Sequence, residues 1–197
     1  MLTFAAAVFL LIITPGPGVL TTAGVGAAFG FRAGLRYVLG LFIGTNLVAL
    51  AVVTGLAALI LANAYIRSAL FAASTLYLLY LAARIAFAGS KVAFIEARSQ
   101  PGVSAGILLQ TINPKAYVVN TTLFSGFVLI ADAFTTEIVA KFLIINAIWL
   151  PIHLIWLYAG SILERLDLPQ RTHRRINIAM ALAMLTVVAL ASASSLR

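Results

Sequence analysis

From Met1 to Phe31 the chain carries no charged residue, and this is the feature that most limits how it can fold. Similar runs recur at Tyr37–Ile66, Ser68–Ala83, Ser99–Ala131 (interrupted only by Lys115), Phe142–Leu163 and Ile176–Leu196. A helix needs about 20 apolar residues to cross the hydrocarbon core of a bilayer. Five of the runs reach that length, the fourth only by including Lys115. The Ser68–Ala83 run reaches it by extending to about Phe87 with Arg84 snorkelling toward the headgroups. Strands of a membrane barrel would alternate in character at every second residue and would not give unbroken apolar runs. Only 9% of residues are charged and 63% are hydrophobic. A soluble domain carries roughly a quarter charged residues, so lipid must be the solvent for most of this surface. The expectation is an all-α membrane protein with six transmembrane helices. The first run lacks a basic leader segment and is too long for a signal core, so it is expected to be a span and not a cleaved signal.

The charges that remain are placed unevenly. In a six-span arrangement Arg32, Arg36, Arg84, Lys91, Arg98, Arg165, Arg171, Arg174 and Arg175 fall on one side, and Arg67, Lys141 and Arg197 on the other. The positive-inside rule makes the richer side cytoplasmic and puts both termini outside. The net charge of +8 then reports topology and contact with anionic lipid, and no nucleic-acid partner is expected. There is no cysteine, which excludes disulfides, thiol redox chemistry and thiolate metal sites.

The segment "AGSKVAFIEARSQPG", Ala88 to Gly102, divides the chain into three spans and three spans. It sets a first repeat at 1–87, a cytoplasmic linker at 88–102 and a second repeat at 103–197, within one transmembrane domain. An odd number of spans per half requires inverted halves if they are repeats. The first helix of each half is interrupted, by "TPGPG" (Thr14, Pro15, Gly16, Pro17, Gly18) and by "INPKA" (Ile112, Asn113, Pro114, Lys115, Ala116). Proline removes a backbone donor and glycine weakens a helix. Backbone groups freed inside a bilayer must face protein, water or a ligand. Paired interruptions at corresponding places in two halves point to a transporter's binding site near the midplane.

The residues also carry a family resemblance. "TPGPG", "GFRAGLRYVLGLFIG" (Gly30 to Gly44), "LYLLYLAARIAF" (Leu76 to Phe87) and "GILLQTINPKAYVV" (Gly106 to Val119) resemble the LysE/RhtB amino-acid exporters, in order along nearly the whole chain. The resemblance implies a secondary transporter of a bacterial inner membrane. It would carry amino acids or similar small zwitterionic metabolites outward, driven by the proton gradient or the substrate's own gradient, without a cofactor. This chain departs from the family pattern at Gly18, where asparagine is common, at Ala82 in place of glycine, and at "LFSGF" (Leu123 to Phe127), where "LPQF" is frequent.

The candidate substrate contacts are Thr14, Pro15, Gly16, Pro17, Gly18, Asn46, Asn113, Pro114 and Lys115. Lys115 is the one charge deep in an apolar run, where an unpaired ammonium costs about 2.5–3.5 kcal/mol. Two roles stay open for it: meeting a substrate carboxylate, or capping the freed carbonyls around Ile112 and Asn113. His153 is the candidate proton relay, because no Asp or Glu lies within a confident span and its ordinary titration falls near neutrality. Its alternative role is a polar packing contact, with Pro151 opening a carbonyl that the ring satisfies. Thr45, Gln110, Thr111, Asn120 and Asn146 are further polar residues at depth. Two histidines without a buried carboxylate make a poor metal site, and Ser161 near His153 lacks any activating motif, so neither a metal site nor an enzyme is expected. The expected partners are a small-molecule substrate and membrane lipid, with homo-oligomerisation left open. The competing reading is a membrane scaffold or passive channel.

Overall fold

The computed structural model describes residues 1–14, 16–86 and 100–165, and positions 169, 171, 172, 174, 175, 178, 179, 181, 182, 185 and 186. Among them there is no strand. The elements are α1 (Leu2–Ile13), α2 (Pro17–Val53), α3 (Leu56–Ala62), α4 (Ala64–Ala86), α5 (Val103–Ile112), α6 (Pro114–Ser125) and α7 (Phe134–Arg165). Further helical positions lie between 171 and 186. The all-α class read from the apolar runs is the one observed. Pro15, most of the expected linker and most of the last apolar run lie outside the described residues.

Both interruptions fall where the Pro/Gly chemistry requires them, between α1 and α2 and between α5 and α6. Other boundaries differ from those expected. The first loop, with Arg32 and Arg36, was expected between two separate spans. Instead α2 runs through it, and the change of direction is concentrated at Gly30, with φ 77° and ψ 174°. Glycine takes a positive φ without the Cβ clash that penalises other residues, so one residue does the work of a loop. Residues 17–29 and 31–53 are therefore two limbs, and Arg32 and Arg36 begin the second one exposed. The next boundary comes at Thr54 and Gly55, so Arg67, expected in a loop, lies inside α4. Similarly, α7 starts at Phe134, eight residues before the charge-free run at Phe142. It can absorb Glu137 and Lys141 because residues four apart share a helix face and these two neutralise each other, with Lys141 Nζ 2.6 Å from Glu137 Oε1.

Helices α2 (Pro17–Val53) and α7 (over Phe134–Ile162) are long and apolar enough to cross a membrane. The molecule is apolar outside as well as inside. Leu2, Leu59, Leu143 and Ile155 are largely exposed, whereas Thr21, Thr22, Gln110, Asn113, Asn120, Lys141, His153 and Ser161 are buried. Soluble monomers rarely expose large contiguous apolar patches, and a lipid-facing surface needs them. The buried core runs through Phe4, Val8, Tyr37, Leu41, Leu109, Leu123 and Leu157.

Small residues set the helix contacts. A Cβ at Gly106 would overlap the backbone of Tyr37 and Leu41, and one at Gly40 would overlap that of Val103, which brings α5 onto the second limb of α2. Equivalent overlaps of Gly160 with Ala23 and of Gly26 with Leu157 bring α7 onto the first limb. Backbone approach through small residues is how helices associate where lipid removes the hydrophobic driving force. A hydrogen-bonded chain ties the limbs together: Tyr37 donates to Thr21 Oγ1 at 3.0 Å, and Thr21 donates to the carbonyl of Pro17 at 2.6 Å.

Candidate functional site

The two breaks are built differently. At the first, Thr14 leaves the helical region (φ −56°, ψ 125°), with its N–H and hydroxyl both bonded back to Leu10 O. Gly16 is extended and begins α2 without any side-chain cap, and Pro17 takes the first helical position, where its missing N–H costs nothing. At the second, Asn113 is extended and caps α6: its Oδ1 accepts from the Lys115 N–H at 3.1 Å. Its Nδ2 donates to Gln110 Oε1 at 2.9 Å. Pro114 takes the first position of α6, mirroring Pro17.

Lys115 joins the breaks. Its Nζ donates to the carbonyl of Thr14 at 2.6 Å, and its chain lies so close to Gly16 that a Cβ there would meet Cδ at 2.7 Å. The ammonium therefore caps a helix C-terminus, where cations are favoured. That helix is α1, on the far half of the chain, and not the local carbonyls of Ile112 and Asn113 considered from the sequence.

Both breaks open onto one cavity of about 480 Å³, counted with its open mouth. Of the sequence-predicted residues, Thr14, Gly16, Gly18, Asn113, Lys115 and His153 line it. Pro17 and Pro114 serve as first helical residues and do not line it, and Pro15 lies outside the described residues. Asn46 does not line it either. Its amide is paired reciprocally with Asn146, at 3.1 Å in one direction and 2.9 Å in the other, and its second N–H goes to Phe42 O. Thr45, Gln110, Asn120 and Trp149 complete the polar and aromatic lining. Three of these were visible as polar residues at depth. Gln110 stands beside the second break in the sequence, but nothing in the spacing of Thr45 or Asn120 tied them to the breaks. Trp149 gave no signal beyond an apolar packing position.

His153 is almost fully buried and stacks on Trp149, with ring centroids 3.5 Å apart and planes 15° from parallel. Its Nδ1 lies 2.9 Å from Trp149 O. A carbonyl can only accept, so Nδ1 carries the hydrogen and Nε2 of the neutral ring is an acceptor. The carbonyl it satisfies belongs to Trp149, four residues back, and is not the one freed by Pro151. Nε2 faces Gly18. Among the described residues that line the cavity there is no Asp or Glu, and Lys115 is the one formal charge among them.

A second lysine is buried away from the cavity. Lys141 Nζ donates to Phe124 O at 2.9 Å and to Phe127 O at 2.6 Å, and it pairs with Glu137. It closes the C-terminal end of α6. Counted among loop charges in the sequence, it is a buried cap in the structure.

The LysE type translocator family matches residues 9–195, nearly the whole chain. No curated protein sequence matches the chain, and no solved structure does. The chain belongs to the LysE type translocator family, and is accordingly a membrane protein of a transporter family and not of an enzyme family.

Proposed function

We propose that this translocator exports amino acids or similar small zwitterionic metabolites across the bacterial inner membrane, as a secondary transporter working by alternating access. One observation carries the reading. The helix breaks of the two half-chains open onto one cavity, where the Lys115 ammonium of one half holds the Thr14 carbonyl of the other. A zwitterion suits such a wall. Its carboxylate can replace the Thr14 carbonyl on Lys115, and Asn113, Asn120 and Gln110 add neutral polar groups around it.

In this reading the chain has six spans in two inverted repeats, 1–87 and 103–197, with both termini outside. Two features support the repeat. Each half's broken helix packs on the other half's unbroken one, through Gly26 and Gly160 on one side and Gly40 and Gly106 on the other. Asn46 and Asn146 bond each other reciprocally, as residues do when the same surface meets itself across a two-fold axis. In this reading the exposed arginines 32, 36, 171, 174 and 175 face the cytoplasm, as the positive-inside rule requires.

When substrate takes Lys115 from Thr14, the tie between the halves is exchanged for a ligand that both can grip. Binding is thereby coupled to rocking of one repeat against the other. The test is counterflow of labelled L-amino acids into proteoliposomes. Saturable uptake that falls sharply in Lys115→Ala at equal folded yield is the expected result. No saturable flux for any amino acid or related zwitterion would sink the proposal in favour of a passive or non-transporting membrane protein.

A further inference from the structure

We infer that Gly18 and His153 form the amine end of the site, and that Gly18 decides which substrates fit there. The inference rests on the exporter reading above and deepens it. The His153 ring has one orientation, because Trp149 stacks on its face and the Trp149 carbonyl holds Nδ1–H. Its Nε2 lone pair is thus a fixed acceptor. It has no hydrogen-bond partner among the described residues, and it points at Gly18, where a Cβ would stand 3.3 Å away. Because Gly18 has no side chain, the lone pair opens into the cavity instead of onto a methyl group. His153 is 3% exposed as a residue, yet no described side-chain nitrogen or oxygen is both buried and unpaired. The unpartnered Nε2 is therefore reached from the cavity it lines, and a donor on the ligand is its natural complement.

Two residues earlier, Gly16 lies against Lys115. Two residues of chain span at most about 7 Å. Both glycines, Lys115 and His153 line the same cavity, so a cationic donor and a neutral acceptor face one space. A free α-amino acid carries the matching pair of groups, a carboxylate for Lys115 and an ammonium for His153 Nε2, each with a hydrogen bond of about 2.8 Å. Gln110 Oε1 lies 3.9 Å from the same Cβ position at Gly18 and gives the amine end a second polar neighbour. With no carboxylate among the described lining residues, a second ammonium on the substrate would meet Lys115 without a compensating charge from them. The substrate class is an α-amino acid with a single positive charge.

The experiment is counterflow with a panel of neutral and dibasic L-amino acids, in competition with the 2-oxo acid of the best-carried one. That analogue keeps the carboxylate and loses the donor. Wild type should prefer the amino acid to its 2-oxo acid by about ten- to a hundredfold, the value of a hydrogen bond to a charged group. His153→Leu should raise the KM for the amino acid by a similar factor and leave inhibition by the 2-oxo acid within about twofold. His153→Gln, whose Oε1 reaches the place of Nε2, should recover most of the loss. Gly18→Ala should reproduce the KM defect with a melting temperature close to wild type, since its Cβ would meet only His153 Nε2 at 3.3 Å and Gln110 Oε1 at 3.9 Å.

A merely structural role for these residues would weaken both ligands together and lower the melting temperature, and that result overturns the assignment. So does a wild-type KM in Gly18→Ala and His153→Leu, or preferred transport of lysine and arginine. A wild type that carries no member of the panel overturns the exporter reading and this assignment with it. A wild type that carries amino acids with no preference over the 2-oxo acid overturns this assignment alone.

Discussion

The two lysines on these apolar helices, Lys141 and Lys115, do related jobs with different completeness. Lys141 is 2% exposed, and its Nζ has three partners: the carbonyls of Phe124 and Phe127 and the carboxylate of Glu137. An ammonium has three hydrogens, so nothing remains to offer. Lys115 is half-buried at a cavity wall and holds one carbonyl, that of Thr14. The difference separates structure from chemistry. A saturated cation fixes a helix end; one with donors to spare can trade a partner for a ligand.

The largest effect should come from Lys141→Ala. It removes two charge-assisted bonds worth about 1.5–3 kcal/mol each, and Glu137 loses its partner. Folded, monodisperse protein in detergent should fall steeply, with flux lost in proportion to it. Wild-type melting in this variant would break the claim that saturation marks a structural role. Lys115→Ala comes next and should divide differently. Its melting point should fall less than that of Lys141→Ala, since one bond to a carbonyl is lost and no carboxylate is left unpaired. Flux at equal folded yield should drop about ten- to a hundredfold, the rate equivalent of one charged hydrogen bond. If it unfolds as Lys141→Ala does, both lysines are simply caps and the comparison collapses.

Asn113→Ala probes the same contrast at the level of the breaks, since α6 has its own side-chain cap and α2 has none. Losing that cap should cost about 1 kcal/mol, read as a modest drop in melting temperature, and flux should fall further than folded yield because Asn113 also lines the cavity. Smallest should be the coupling between Asn46 and Asn146. A double-mutant cycle on melting should give about 0.6 kcal/mol, typical of a hydrogen bond between membrane helices. A much larger coupling, together with loss of transport, would return Asn46 to the binding site.

Much of this organisation could be read along the chain. The breaks were legible because Pro and Gly act on their own backbone: "TPGPG" and "INPKA" end a helix whatever surrounds them. Boundaries set by side-chain partnership were not. Arg32 and Arg36 looked like a loop, yet Gly30 alone makes the bend. Lys141 looked like a loop charge, yet α7 encloses it beside Glu137. The site divided along the same line. Thr14, Gly16, Gly18, Asn113, Lys115 and His153 all reach the cavity, while Asn46, equally polar and equally deep in sequence terms, turns to Asn146 instead.

By itself, then, the sequence determined that this chain belongs in lipid, that it is helical, and where its helices must break. These are consequences of composition and of local backbone chemistry. Only the tertiary structure decided that Lys115 caps the opposite half at Thr14, that Gln110 and Asn120 join it at one wall, and that the open nitrogen of His153 faces the bare backbone of Gly18. Helical periodicity says which residues share a face. Which faces meet depends on close backbone approach at Gly26, Gly40, Gly106 and Gly160, between segments far apart in the chain.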